Sequence, residues 1–437
     1  MSSPAHPTLG RDPRPAPARA WLDRLQRVET PGLTAIGDAF PIVWERAQGT
    51  QVWDVEGRSY LDLTAGFGVA AIGHAHPAVV AAVADQVARL PHAMADVHPA
   101  RIKIELLERL AALAPGALRV THLGLSGSDA VEAALKTACL ATGRAGVLTF
   151  EGAYHGLSYG ALALCGDPVF RRPFAQQLGE HVRQAPFVGP DAAEFGAIES
   201  FLAGGEIGAV IVEPIQGRGG VRPAPPGLLP ALSTLCRRHG ALLIVDEIFT
   251  GLGRTGRWFA VEGEAVTPDL LLAGKALGGG LPISAAIGTP AAMAAWGGRP
   301  GPALHTQTFL GHPLAAAAAL AVLDVIEREG LVARAAALGE RFLGDLGAQI
   351  GGLEGVTEVR GRGLLAGIVL THPLTGAPDR ARAEAVMKEL CARGILVLTA
   401  GVQGEVIELS PPLVIGAPEL ERAIAELRTA LLAVPPR

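Results

Sequence analysis

Between residues 120 and 290, short β-rich runs alternate with stretches of helical character: "VLTF", "GAVIVEP", "ALLIVDE", "DLLLAGK" and "ISAAIG". This alternation leaves the chain few architectures and predicts a mostly parallel sheet covered by helices on both faces, an α/β fold. Between two of the runs, "PGLLPALSTLCRRHG" opens with proline, carries apolar residues at helical spacing, and closes on Arg237, Arg238 and Gly240. Those are start and stop signals for a covering helix.

Outside this core the pattern changes. "WDVEGRSYLDLTAGFGVAAIGHAHP" reads as small strands and turns, and after "HTQTFLGHP" come long amphipathic helices. These are followed by "EVRGRGLLAGIVL" and "GILVLTAGVQGEVIELSPPLVIG", strands of another sheet. A chain of 437 residues exceeds what one core usually fills. We therefore expect an arm over 1–20, a small-domain segment over 21–65, a large domain over 66–324 and a small α+β domain over 325–437. The arm, "MSSPAHPTLGRDPRPAPARA", is proline-rich, is expected to be disordered, and has no apolar core of the kind a secretory signal needs.

Charge and composition narrow the function. A net charge of −5 and the absence of a dense Lys/Arg block give no footprint for nucleic acid or a charged membrane surface. The run near "PLAAAAALAVL" falls short of the roughly 18 residues that span a bilayer. Cys139, Cys165, Cys236 and Cys391 are scattered, with no zinc spacing, and read as reduced core thiols. A cytoplasmic protein acting on small molecules is the expectation.

Three segments carry chemistry. Lys275 ends the apolar run "DLLLA", so its amine should emerge at the carboxyl edge of a strand, where open α/β sheets bind ligands. Desolvation there lowers a lysine pKa and frees a nucleophilic amine suited to bonding an aldehyde. The bland alternative is a lysine snorkelling to the surface. Asp246 and Glu247 end another buried run, where Asp246 could hold a heterocyclic nitrogen protonated, or simply cap a helix or pair with Arg254. Ser126, Gly127 and Ser128 precede a helix, and its free N–H groups could bind phosphate, although ordinary capping explains the same letters.

A lysine, a strand-end aspartate and a phosphate-ready helix start match the needs of pyridoxal 5'-phosphate. The segments "GHAHP", "SGSDAVEAA", "EGAYHG", "EPIQGRGG", "DEIFTGLGRTG", "PDLLLAGKALGGGLP", "HTQTF" and "PPLVI" stand in the order and approximate spacing of the class III aminotransferases, which the chain resembles over nearly its whole length. The resemblance implies a fold type I enzyme with Lys275 forming the Schiff base and Asp246 facing the pyridinium nitrogen. It implies Gly127 and Ser128 on the phosphate, Tyr154 stacked on the ring, Ile248 beneath it and Gln216 near the phenolic oxygen. Thr308 would reach the phosphate of a neighbouring subunit in a homodimer. Glu213 would be supportive, and His155 structural or functional. The substrates would be an amino donor and a 2-oxo acid acceptor, pyruvate or 2-oxoglutarate, handled in turn by a ping-pong mechanism.

The chain also departs from the ornithine, acetylornithine and 4-aminobutyrate branches. Where those carry glutamate this chain has Arg218, and where they carry arginine it has Glu408, so an inverted ion pair across the domain boundary is one expectation and two solvent-facing charges the other. Leu157 replaces an arginine that grips a carboxylate, which leaves Arg218, Arg254 or an arginine of the N-terminal part as replacement anchors. A Glu408 pointing inward would favour a diamine or basic amino acid as donor. The rivals are an amino-acid racemase or epimerase on the same fold and a catalytically silent cofactor-binding protein. Arg218 is a poor second acid/base for the first, and retention of both Lys275 and Asp246 argues against the second. No HExxH or GxxxxGK[ST] pattern points to a metal hydrolase or a phosphate loop.

Overall fold

The computed structural model describes residues 17–34, 42–297 and 302–436. The alternating runs form one seven-stranded sheet. In chain order its strands are Val120–Gly124 (β1), Gly146–Phe150 (β2), Val182–Ala185 (β3), Ile207–Val212 (β4), Leu242–Asp246 (β5), Leu270–Ala273 (β6) and Ser284–Gly288 (β7). Their spatial order is β1-β7-β6-β5-β4-β2-β3. Only β7 runs against its neighbours, pairing antiparallel with both β6 and β1. All other pairs are parallel. Strands β4, β6 and β7 are buried at every residue, which explains why they read as continuous apolar runs rather than alternating ones.

Helix Leu228–His239 covers the sheet as its start and stop signals predict, beginning after Gly227 and ending at a left-handed Gly240. The long helix Pro313–Arg328 packs against helices Pro77–Arg89 and Arg101–Leu113 and against the turn that begins at Lys275. The boundary expected at 325 therefore falls inside a helix rather than in a linker.

The ends of the chain build two smaller sheets. One joins Trp44–Gln48, Gln51–Asp54 and Ser59–Asp62 to a strand from far along the chain, Ile395–Leu396. The other is antiparallel, in the order Val356–Arg362, Leu365–Leu370, Val406–Leu409, Leu398–Ala400. Of the arm expected over 1–20, residues 1–16 lie outside the described residues, while the helix Ala18–Gln26 begins within it and buries Ala18 and Leu22. That expectation is corrected there: apolar spacing overrides the proline-rich composition just upstream. Among the described residues no helix is long and apolar enough to cross a membrane.

Candidate active site

The sheet's topology brings the predicted residues together. Asp246 is the last residue of β5, level with Leu272 of the parallel neighbour β6, and Lys275 follows β6 by two residues. Because β7 is reversed against both β1 and β6, β1 also ends at that edge, and the helix Gly127–Thr142 starts there. The segments after β2 and β4 deliver Tyr154, His155 and Glu213 to the same edge. All of them open on one cavity of about 400 Å³, within the range of small-molecule sites.

Lys275 adopts a left-handed backbone conformation (φ 40°) at the start of a single 3₁₀ turn. For a residue with a Cβ this costs on the order of 1 kcal/mol, and such strain clusters at working sites. Burial pushes its pKa down, against the opposing pull of Glu408, Asp246 and Glu213. Its Nζ sits 3.7 Å from the centre of the Phe249 ring.

Asp246 is buried and both of its oxygens are engaged: Oδ2 lies 2.7 Å from His155 Nδ1, and Oδ1 accepts the Ile248 N–H at 3.0 Å. Burial disfavours the His155 imidazolium, but the bond to Asp246 and the nearby Glu213 outweigh it, and the pKa rises. His155 Nε2 has no partner among the described residues. Asp246 thus pairs with His155 and not with Arg254. Glu213 accepts the N–H groups of Tyr154 at 3.0 Å and Gly217 at 3.3 Å, and burial pushes its pKa up to about 7. This carboxyl ties two cavity walls together. Glu247, the second acid of the strand end, faces elsewhere, holding Thr250 and the N–H groups of Ala260 and Val261.

At the helix start, the Ser126 side chain accepts the Asp129 N–H at 3.2 Å, and Ser128 Oγ accepts the Leu157 N–H at 3.1 Å. Ordinary capping is therefore present, and Ser126, Gly127 and Ser128, at the start of a helix whose first amides lack intrahelical partners, line the cavity. An added Cβ on Gly127 would stand 3.0 Å from Ile248 Cδ1, so glycine is what lets Ile248 pack against the helix start. An anion-ready helix start, Ile248 and Tyr154 as apolar and aromatic lining, a buried aspartate and a lysine on one cavity fit pyridoxal 5'-phosphate.

The outer wall is different in origin. Glu408 comes from the antiparallel terminal sheet, is buried, and lines the cavity with Leu398 and Thr399. The only hydrogen bond of its carboxylate among the described residues is a long one from Ser410 Oγ, 3.5 Å. Burial raises its pKa while Lys275 and then Arg218 pull it down. Arg218 is exposed at the rim, its guanidinium carbon 6.0 Å from the Phe170 ring centre. Both residues line the cavity, but they make no direct ion pair, and Glu408 does not face bulk solvent. Arg254 is buried outside the lining, its Nη1 donating to the carbonyls of Leu364 and Pro411, so it is unsuited to anchor a substrate.

Two expected residues stand apart. Gln216 is buried but does not line the cavity; its Nε2 donates to the Glu151 carbonyl at 2.9 Å. Thr308 is exposed in a turn and likewise lies outside this chain's cavity. Conversely, Phe67, Phe170 and Phe249 line it without having been singled out from sequence. Phe249 alone left a signal, an aromatic residue three beyond the end of a buried strand.

The family described as Aminotransferase class-III matches residues 34–431. An acetylornithine aminotransferase of Methanopyrus kandleri is 41% identical over 394 residues, 90% of this chain and 95% of that protein. Among solved structures, the ornithine aminotransferase of Toxoplasma gondii superposes with a TM-score of 0.85 at 31% identity, covering 95% of each chain. An (S)-enantioselective omega-transaminase from Thermomicrobium roseum gives 0.88 at 29% identity, covering 95% of this chain and 99% of the other.

Proposed function

The chain belongs to the class III aminotransferases and is a pyridoxal-phosphate-dependent enzyme, and on that premise we propose that Lys275 is its reacting amine and that its preferred donors carry a second cationic group held by Glu408. The observation that carries the donor assignment is a buried carboxylate in the cavity wall with one long hydrogen bond and no direct ion pair among the described residues. A buried charge left without a partner is costly. A diamine or basic amino acid would supply that partner.

The remaining residues take complementary parts. The amides of Gly127 and Ser128, with the Ser126 cap behind them, hold the cofactor phosphate. Tyr154 and Ile248 would enclose its ring and Asp246 would serve its nitrogen, while His155 holds Asp246 and Glu213 holds the Tyr154 segment in place. When bound, pyridoxal phosphate supplies an aldehyde for covalent attachment and a ring that takes up the electron pair left by a departing proton. Lys275 Nζ, its pKa lowered by burial, removes the proton from the donor's amine-bearing carbon and returns it at the other end of the transfer. The exposed Arg218 guanidinium meets the carboxylate of the 2-oxo acid acceptor, pyruvate or 2-oxoglutarate, at the rim.

Because the family resemblance places Thr308 at the site of a second copy, we propose a homodimer. In support, the segment holding Met94 and Val97 and the segment holding Leu304 and Phe309 are exposed and apolar, and they meet through His92 against Phe309 and Thr306 against Asp96. Apolar surface of this kind marks a contact between proteins.

The test is a half-reaction screen of the holoenzyme against diamines, basic amino acids and simple amines. Loss of the visible cofactor band with formation of a carbonyl product, fastest for dicationic donors, is expected. Equal rates for dicationic and monocationic donors would remove the Glu408 assignment. Borohydride treatment that leaves Lys275 unmodified would remove the larger reading.

A further inference from the structure

A hydrocarbon ring lies against the Lys275 amine. Nζ stands 3.7 Å from the Phe249 centroid. The ring has little freedom to leave. A Cβ built on Gly68 would come within 2.5 Å of Phe249 Cε2, and one built on Gly217 within 2.3 Å of its Cδ1, so two glycines from separate segments form a slot for its two edges. Phe249 also packs onto the small buried cluster of Ile215, Val221 and Leu365.

We infer that Phe249 is a positioning residue that favours the protonated form of the nitrogen carried by Lys275. Two effects act in the same direction. The ring face attracts a positive charge held over it. In addition, the aldehyde carbon that Lys275 bonds is one ring position from the cofactor's phenolic oxygen, and a phenyl group beside that bond offers the oxygen no hydrogen-bond donor. The amide expected there, Gln216, is turned onto the Glu151 carbonyl and does not line the cavity. Undistracted by an outside donor, the phenolate is free to accept from the protonated nitrogen beside it. The charged groups that bear on this nitrogen are Glu408, Asp246 and Glu213, which favour its charge, and Arg254, which opposes it. Phe249 adds to the first set without itself titrating.

This inference rests on Lys275 being the bonded amine, and its test separates the two claims. The visible absorbance of the holoenzyme is titrated with pH, and its midpoint is compared among wild type, Phe249→Leu, Phe249→Gln and Gln216→Leu. Loss of the ring face in Phe249→Leu lowers the midpoint by roughly 0.5 to 1.5 pH units, and Phe249→Gln, which adds a donor, lowers it at least as far. Gln216→Leu leaves it within about 0.3 units, small against the one-unit scale of a resolvable shift. An unmoved midpoint in Phe249→Leu overturns the inference, as does a shift in Gln216→Leu as large as that in Phe249→Gln. If Phe249→Gln fails to take up cofactor, Phe249→Leu, which preserves an apolar filler for the slot, decides alone. Absence of any borohydride-trapped adduct at Lys275 in wild type would instead strike the proposed function.

Discussion

The inner and outer walls of the cavity are built on different principles. The inner wall is the carboxyl edge of the seven-stranded sheet, where Lys275, Asp246 and the start of helix Gly127–Thr142 are fixed by strand register and by strands buried along their length. The outer wall is assembled from the terminal sheet, which contributes Glu408, Leu398 and Thr399, from a turn that contributes Arg218, and from the short helical segments Ala65–Gly68 and Pro168–Arg171, which contribute Phe67 and Phe170. In the first wall the aspartate is fully engaged, held by His155 and by the Ile248 amide. The second presents a buried acid with spare acceptor capacity and an exposed guanidinium. On the proposed assignments, bond-making chemistry belongs to the wall set by strand register, and the choice of substrate to the wall where separate parts of the chain meet.

Substitutions should divide along that line. The largest effect belongs to Lys275→Ala, expected to lower the rate of the donor half-reaction by about 10³-fold or more with every donor, since both the attachment point and the proton carrier are lost; stopped-flow loss of the visible band measures it. Turnover preserved in this variant would abolish the distinction between the walls. Asp246→Asn follows, with a loss of roughly 10² to 10³-fold, the scale of removing a preorganised electrostatic partner. It too should be indifferent to donor identity, because the His155–Asp246 pair lies on the inner wall.

Glu408→Gln tests the outer wall. It should reduce kcat/KM for dicationic donors by about 10 to 100-fold, the value of a charge-assisted hydrogen bond, and change monocationic donors by less than about threefold on the same reasoning. Uniform loss across donors would move Glu408 to the inner group. The sign with pH follows from burial: Glu408 has its pKa raised above the usual carboxylate value, so it holds a cation only above that raised pKa. KM for dicationic donors should therefore rise as pH falls through it, while KM for simple amines stays flat.

The inner wall was legible in the sequence because it depends on local pattern. An apolar run ending in Lys275, another ending in Asp246 and a Ser-Gly-Ser helix start each announce themselves within a few residues. Those segments also fixed the mostly parallel sheet, and the single reversal, β7, is a pairing choice that "ISAAIG" does not encode by itself. The outer wall was only half legible. Glu408 and Arg218 stood out as charges in unexpected places, but whether they touch depends on how two sheets lean together, and they do not. Gln216 shows the limit most clearly: one residue of register in the segment after β4 turns its amide to the Glu151 carbonyl instead of the cavity. Phe249 took its place beside Lys275 because Gly68 and Gly217, distant in sequence, leave room for it.

The smallest expected effect concerns burial at this sheet without chemistry. His122 lies on β1, its ring stacked on Trp296 with centroids 5.8 Å apart and its Nε2 without a partner among the described residues. Burial, with His305 beside it, pushes its pKa down to about 4. The folded protein therefore holds His122 neutral while the unfolded chain takes up a proton near its ordinary value, so the stability at stake is fully present above about pH 6.5 and is lost as pH falls through about 4. In His122→Phe, which preserves the aromatic stack, the fall in unfolding free energy between pH 7 and pH 4 should be smaller by about 2 kcal/mol, after allowance for partial exposure. Urea titrations at the two pH values measure it, and an equal fall in both proteins would mean that His122 is not held neutral. The donor half-reaction rate at pH 7 should be unaltered, because His122 does not line the cavity. Lys275 and His122 both have their pKa values lowered by burial, and only the one that opens on the cavity should convert that shift into turnover.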